Sequence, residues 1–202
     1  MGSLFPFDTN WLRQAQTDAA GSIKTTLHSV VKYAPGAIST ADADYYVVSA
    51  NMKVGAYTLA QTAPARGARN ITVTQTAVGA EDTNGTIEVV GTDLAGAAIS
   101  ESITPNAGAT VAGLKAFATV TSITGVGWVI GEGNDTITVG FGDVIGLPDK
   151  LSSTAQVIAA DKNDVRESTF PTVTVSATVL ASNTVDLNTA MDGDGIAIYY
   201  ML

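Results

Sequence analysis

The chain of 202 residues contains no cysteine, which excludes disulfide bonds, cysteine-ligated metal sites and thiol chemistry. Only 6% of the residues are aromatic and 14% are charged. The single histidine, His28, cannot form a metal site built on several histidines, and no acid or nucleophile motif lies beside it. We therefore expect His28 to have no catalytic role.

Long hydrophobic runs are also missing. No apolar stretch approaches the roughly 20 residues that a helix needs to cross a bilayer. The N-terminus, MGSLFPFDTNWLRQ, lacks the basic and then apolar segments of a secretory signal. The sequence predicts a protein that is made in the cytoplasm and has no membrane partner.

Motifs for cofactors and metals are absent or incomplete. GFGDVIG (140–146) spaces its glycines by two and four residues, whereas a dinucleotide-binding loop needs two and three before a helix. MDGDGIA (191–197) has two acids beside glycines but lacks the alternating acids and the distal glutamate of a calcium loop. Close carboxylate pairs are expected by chance in so acidic a chain, so they indicate no hydrolase. We predict no enzymatic activity, no cofactor and no metal ion.

Charge is distributed unevenly along the chain. Residues 1–69 carry six Lys or Arg against four acids, and residues 70–202 carry four against fifteen, which gives +2 and −11 within the net charge of −9. An acidic body repels phosphate backbones, so nucleic acid is not an expected partner. The basic N-terminal part favours docking on an acidic protein surface.

The rest of the sequence is rich in short segments typical of β-strands. These are residues 70–76, 85–91, 97–103, 117–124, 135–141, 154–159, 171–180 and 195–202, separated by Gly, Asn and Asp. No helical stretch separates them, so the sequence predicts an all-β fold whose body is an antiparallel β-sandwich or barrel. The expected buried side chains are Ile71, Val73, Ile87, Val89, Ile99, Ile103, Ile137, Val139 and Phe141.

The N-terminal part has a different pattern. Residues 7–20 predict the start of a short helix, Tyr45–Val48 resembles a strand, and residues 63–69 resemble a linker. We therefore predict two regions: an extended arm and docking segment at 1–67, and a β-sandwich body at 68–202.

One acid lies in an unexpected place. In the segment AAISESI (97–103), Glu101 shares a strand face with Ile99 and Ile103. An acid on an apolar face needs a partner, and Arg69 is one candidate. A solvated edge strand is the alternative.

Residues 68–202 also carry a resemblance. The run RNITVTQTAVGAEDTNGTIEVVGTDLAGAAISESIT, followed by LKAFATVTSITGVG, GFGDVIGLPDKL and the ending NTVDLNTAMDGDGIAIYYML, resembles virion structural proteins of tailed bacteriophages. Each of these segments is a common strand or turn pattern, and the resemblance lies in the order in which they follow one another.

This resemblance implies a non-enzymatic protein of the phage particle, of the capsid decoration (cement) type. Such a protein binds the outer capsid surface and stabilises the shell, with the major capsid protein or another virion protein as its partner and a homo-oligomer, favoured as a trimer, as its state. The alternative is a tail or head-fibre component that takes part in host attachment. A calcium-dependent surface adhesin and an enzyme are further alternatives.

The N-terminal arm contains the expected contact residues. Phe5, Phe7, Trp11 and Leu12 lie within eight positions, followed by Arg13. Exposed aromatics of this density favour association and often anchor protein interfaces. We predict these five residues as the interface, with burial against the chain's own body as the alternative.

Overall fold

The computed structural model describes residues 11–17, 23–52, 54–64, 66–76, 85–106, 108–129 and 135–202. These residues form fifteen strands and two 3-10 turns, at Thr154–Gln156 and Leu180–Ser182. The strands are β1 (Trp11–Thr17), β2 (Ile23–Ala37), β3 (Asp42–Asn51), β4 (Gly55–Ala56), β5 (Arg69–Thr76), β6 (Thr86–Thr92), β7 (Ala98–Ile103), β8 (Thr110–Phe117), β9 (Thr119–Val126), β10 (Thr136–Gly146), β11 (Val157–Lys162), β12 (Val165–Arg166), β13 (Thr172–Thr174), β14 (Thr184–Asp186) and β15 (Gly195–Met201).

The strands pair into three sheets, and every pairing among the described residues is antiparallel. The first sheet has the order β1-β2-β15-β11-β12. The second has the order β13-β14-β10-β5-β8, with β3 also paired to β10, and the third has the order β4-β9-β6-β7. Fold class is therefore all-β, as the strand and turn pattern predicted.

Two separate hydrophobic cores lie between these sheets. The first core joins the second and third sheets, with Ile71, Val139 and Phe141 on one side and Val89 and Ile123 on the other. It is a β-sandwich core, in which alternate side chains of both sheets interdigitate.

The second core packs the first sheet against one end of the second. Ile198 and Tyr200 of β15 meet Ile145 of β10 and Val185 of β14 there. Since Phe141 belongs to the first core and Ile145 to the second, β10 runs through both.

Arg69 is buried at the point where β10 leaves one core and enters the other. Its guanidinium donates hydrogen bonds to the carbonyl oxygen of Gly142, at 2.8 Å from Nε, and to that of Ser39, at 3.0 Å. It also lies 4.8 Å from the ring centre of Phe141 and 3.4 Å from a carboxylate oxygen of Asp143. Burial lowers the pKa of Arg69 to about 10, and Asp143 partly offsets this effect.

Most of the expected body strands and buried residues are confirmed. Eight of the nine expected core side chains are buried, and the ninth, Ile99, is partly buried against the first core. The predicted strand at 171–180 is reduced to Thr172–Thr174, and strand β8 was not anticipated.

The predicted helix at the N-terminus is wrong for residues 11–17. They form β1, which pairs with Ile23–Ser29 of β2. This stretch of β2 includes Ile23, Thr25 and Thr26, and pairing to it outweighs the helix propensity of the alanines and glutamines in the predicted segment.

Strand pairs connect the two regions that were predicted to meet near residue 67. Strand β2 pairs with β15, and β3 pairs with β10. Ile38 belongs to the second core, and Tyr46 and Met52 belong to the first. Residues 30–60 therefore pack as part of the same body as residues 69–202.

We expect Arg69→Ala to lower the free energy of unfolding by about 3–5 kcal/mol, because it leaves buried carbonyl groups without donors. Urea denaturation followed by circular dichroism measures this change. Arg166→Ala is the matched control, since Arg166 is 61% exposed and its ion pair with Asp161 contributes at most about 1 kcal/mol. Equal effects of the two substitutions would show that Arg69 does not hold the cores together.

Candidate interaction surface

The predicted interface residues fall partly within the structure. Phe5 and Phe7 lie outside the described residues. Trp11, Leu12 and Arg13 open β1, where they pair with Ser29, His28 and Leu27 of β2. The structure therefore places three of the five residues on a paired strand.

Strand β2 has different partners along its length. Its first half, residues 23–29, pairs with β1, and its second half, Val30–Ala37, pairs with β15. The two pairings meet at Ser29, which exchanges two backbone hydrogen bonds with Leu202, at 3.2 and 3.0 Å. We call β1 together with residues 23–29 the N-terminal ribbon.

The N-terminal ribbon extends past the strands that pair with the body. Its seven residue pairs, at about 3.3 Å each, give it a length of about 23 Å. A two-stranded hairpin is marginally stable in water on its own, and it gains stability by packing on another surface.

A second unusual feature lies beside strand β5, whose two neighbours each contain extra residues. On one side, Asn70 pairs with Ala116 of β8, but Thr72, two residues further along β5, pairs with Ala112, four residues away from Ala116. On the other side, Arg69 pairs with Ile145 of β10, but Ile71 pairs with Phe141, again four residues away. Each neighbour thus has a bulge of two extra residues, at 113–115 on β8 and 142–144 on β10. Bulges of this kind occur next to binding and active sites because they redirect side chains.

Asn70 holds both bulges in place. Its amide oxygen accepts a hydrogen bond from the backbone of Val144 at 3.2 Å, and its amide nitrogen lies 3.5 Å from the carbonyl oxygen of Gly113. A Cβ atom on Gly142 would lie 2.7 Å from the amide oxygen of Asn70, so the close approach requires glycine. The pair Arg69-Asn70 thereby fixes two neighbouring strands at once.

A cleft of about 240 Å³ opens over the two bulges. Its lining is mostly small, hydroxyl-bearing or apolar, and it consists of Gly113, Leu114, Val144, Thr172, Thr174, Ser182, Thr184 and Asp186. We call it the two-bulge cleft. Leu114 is 79% exposed at its rim.

Asp186 is the charged group of the two-bulge cleft. Desolvation raises its pKa above the ordinary value for an aspartate, and the charge of Asp143 adds to this effect. Asp143 is paired with Arg69, whereas no cation among the described residues pairs with Asp186. The cleft therefore has an uncompensated negative charge.

Glu101 joins the open edges of two sheets. Its carboxylate accepts hydrogen bonds from the backbone of Leu114 at 2.6 Å and of Lys115 at 3.3 Å. The ammonium of Lys115 in turn donates to the carbonyl oxygen of Ser100 at 2.7 Å. The candidate partner Arg69 is wrong, because its guanidinium is directed to β10 and Ser39. Strand β7 lies at the edge of its sheet, as the alternative predicted.

A lysine side chain neutralises the acidic turn at Asp192–Asp194. The ammonium of Lys162 lies 2.8 Å from Asp192 and 3.8 Å from Asp194, and it donates to the carbonyl oxygen of Ala190 at 2.6 Å. This lysine lowers the pKa of Asp192. In the described ranges, this turn included, no three histidine or acidic side chains converge as metal ligands.

Comparisons with known proteins give no relative. No family model, curated protein or solved structure matches the chain. The described part of the chain also contains no helix of the length and hydropathy that crossing a membrane requires.

Sequence reasoning missed Asn70, Asp143 and Asp186 as parts of a site. The signal was present in the glycines of GFGDVIG and AGLK, which lie inside strands and mark bulges.

We expect Glu101→Ala to lower the free energy of unfolding by about 1–3 kcal/mol, because the two backbone donors of β8 lose their shared acceptor. Hydrogen exchange of the Leu114 and Lys115 amides measures the local effect, and urea denaturation measures the global one. Glu88→Ala on the exposed face of β6 is the matched control and is expected to change stability by about 0.5 kcal/mol or less. Unchanged amide protection in Glu101→Ala would contradict this role.

The pKa of Asp186 can be tested directly. We expect an NMR titration of its carboxyl group to give a pKa above that of an unperturbed aspartate, and Asp143→Asn to lower this pKa while the desolvation effect remains. A raised folded-state pKa means that the ionised form is disfavoured by folding, so the penalty is present above the folded-state pKa and is relieved as the pH falls. Asp186→Asn is therefore expected to stabilise the isolated protein at neutral pH and to have no such effect in acid.

Proposed function

We propose that the chain is a non-enzymatic structural protein of a bacteriophage particle. Its role is that of a capsid decoration protein, which binds the outer surface of the shell through its N-terminal segment and stabilises the shell. It acts as a homo-oligomer, with a trimer as the favoured state.

The N-terminal ribbon is the observation that carries this proposal. It extends past the paired strands of the body, and a ribbon of two strands gains stability from a surface on which to pack. The two strands of the ribbon contain Arg13 and Lys24, and with Asp18 between them residues 11–29 carry a net charge of +1, whereas residues 70–202 carry −11. This division supports a basic docking element that attaches an acidic body to a larger assembly.

The order of strand and turn segments in residues 68–202 supports the phage assignment, because it resembles virion structural proteins. The body also suits an attached role. Its two cores form without disulfide bonds, since the chain has no cysteine, and the hydrogen bonds of Glu101 join two sheet edges beside the first core.

Deleting residues 1–20 is expected to abolish binding to particles that lack the protein while the body remains folded. The deletion removes β1, but Val30–Ala37 of β2 keeps its pairing with β15. Co-sedimentation with particles measures binding, and thermal denaturation followed by circular dichroism measures folding. If the truncated protein still saturates the particles with unchanged affinity, the N-terminal segment is not the anchor, and if it fails to fold, this segment belongs to the core.

A point substitution refines this test. We expect Trp11→Ala to weaken particle binding by on the order of 2 kcal/mol, or about thirtyfold in Kd, if the aromatic is an interface anchor. Imaging of particles with and without the protein then locates it. Density on the shell supports the decoration role, and density on the tail or on head fibres contradicts it.

A further inference from the structure

The two-bulge cleft takes no part in the shell contact that the proposed function assigns to the ribbon. The two bulges fixed by Asn70 form its floor, and the strand pair β13–β14 forms its wall. A volume of about 240 Å³ admits one long side chain with its terminal group.

The polar groups of the cleft are all able to accept hydrogen bonds. Asp186 supplies a half-buried carboxylate with no paired cation among the described residues, and Thr172, Thr174 and Thr184 supply hydroxyl oxygens. An anion or a second carboxylate would be repelled by Asp186 and by the neighbouring Asp143. The lining therefore selects a cation.

The shape of the lining favours arginine over a small cation. A guanidinium has five donors in a planar arrangement, which match a carboxylate together with surrounding hydroxyls. Leu114, exposed at the rim, and Val144 offer apolar surface for the aliphatic part of an arginine side chain.

We infer that the two-bulge cleft binds Arg13 from the N-terminal ribbon of a second copy of this chain. Residues 11–29 carry a net charge of +1 from Arg13, Lys24 and Asp18, which is opposite in sign to that of the acidic body of another copy. Within its own chain, β1 pairs with β2. A contact between copies also gives the ribbon the surface that a free hairpin lacks.

This contact joins two different surfaces: the ribbon of each copy binds the cleft of one neighbour, and its cleft binds the ribbon of another. Such contacts between unlike surfaces close into rings when the rotation between copies permits. The inference rests on the homo-oligomer of the proposed function, and it names the surfaces that form it. A three-membered ring is the expected product.

The test uses the isolated full-length protein without particles. Sedimentation velocity over a range of concentrations measures the association, and we expect Arg13→Gln and Asp186→Asn each to weaken it by on the order of tenfold or more. The double variant is expected to lose no more than either single variant, because both remove the same contact. Exchanging the charges, as Arg13→Asp with Asp186→Arg, is expected to restore part of the association.

Two matched controls remove the same charges elsewhere. Lys24→Gln neutralises the other cation of the ribbon. Asp164→Asn neutralises an exposed acid in a turn whose φ of 59° asparagine tolerates. Both are expected to weaken association far less than Arg13→Gln or Asp186→Asn, and near-UV circular dichroism verifies that every variant is folded.

Several results would overturn the inference. These are a wild-type protein that stays monomeric at all concentrations, additive losses in the double variant, or a control that weakens association as much as Asp186→Asn. Normal association with no binding to particles would instead reject the proposed virion role and leave the cleft contact standing. Normal particle binding with no effect of Asp186→Asn on association rejects the cleft contact alone.

Discussion

Arg69 is a cation without solvent access, and its hydrogen bonds end on the segments where the chain passes from one core to the other. Burying a guanidinium is unfavourable unless its donors find acceptors, so the backbone around it must present carbonyl groups at fixed positions. The bulge at 142–144 and the segment at Ser39 supply these groups. The path of β10 through two cores depends on this one side chain.

The next residue, Asn70, fixes the positions of both strands that flank β5. Asn70 bonds the bulge of β10 on one side and reaches that of β8 on the other, so two strands share one register. The bulge of β8 turns the backbone N–H groups of Leu114 and Lys115 toward Glu101, which closes that side of the sandwich. On the opposite side, residues 57–60 bond to Tyr46 of β3 and Ile123 of β9. The sandwich is thus closed at both edges, and the two-bulge cleft results from how one edge is closed.

The sequence predicted those parts of the fold that depend on local alternation. Segments such as 70–76 and 85–91 have a clear period of two, and their buried faces follow from it. Strand β8 was missed because its residue types do not follow its burial: Leu114 is exposed, whereas Lys115 is partly buried. Strand β2 was missed because it has no clean period, and its two halves have different partners. The partner of Glu101 and the cleft around Asp186 depend on contacts between residues far apart in sequence, which no local pattern records.

Strand β2 also determines how the molecule responds to mechanical force. The ribbon and the half of β2 that pairs with β15 are one continuous strand, so a pull on the ribbon along its axis is transmitted along β2. The ladder between β2 and β15 is then loaded in shear, with its hydrogen bonds perpendicular to the force and strained together. A pull across the sheet would open the same bonds one at a time. An attachment through the ribbon therefore holds the body in the direction in which its sheet resists rupture best.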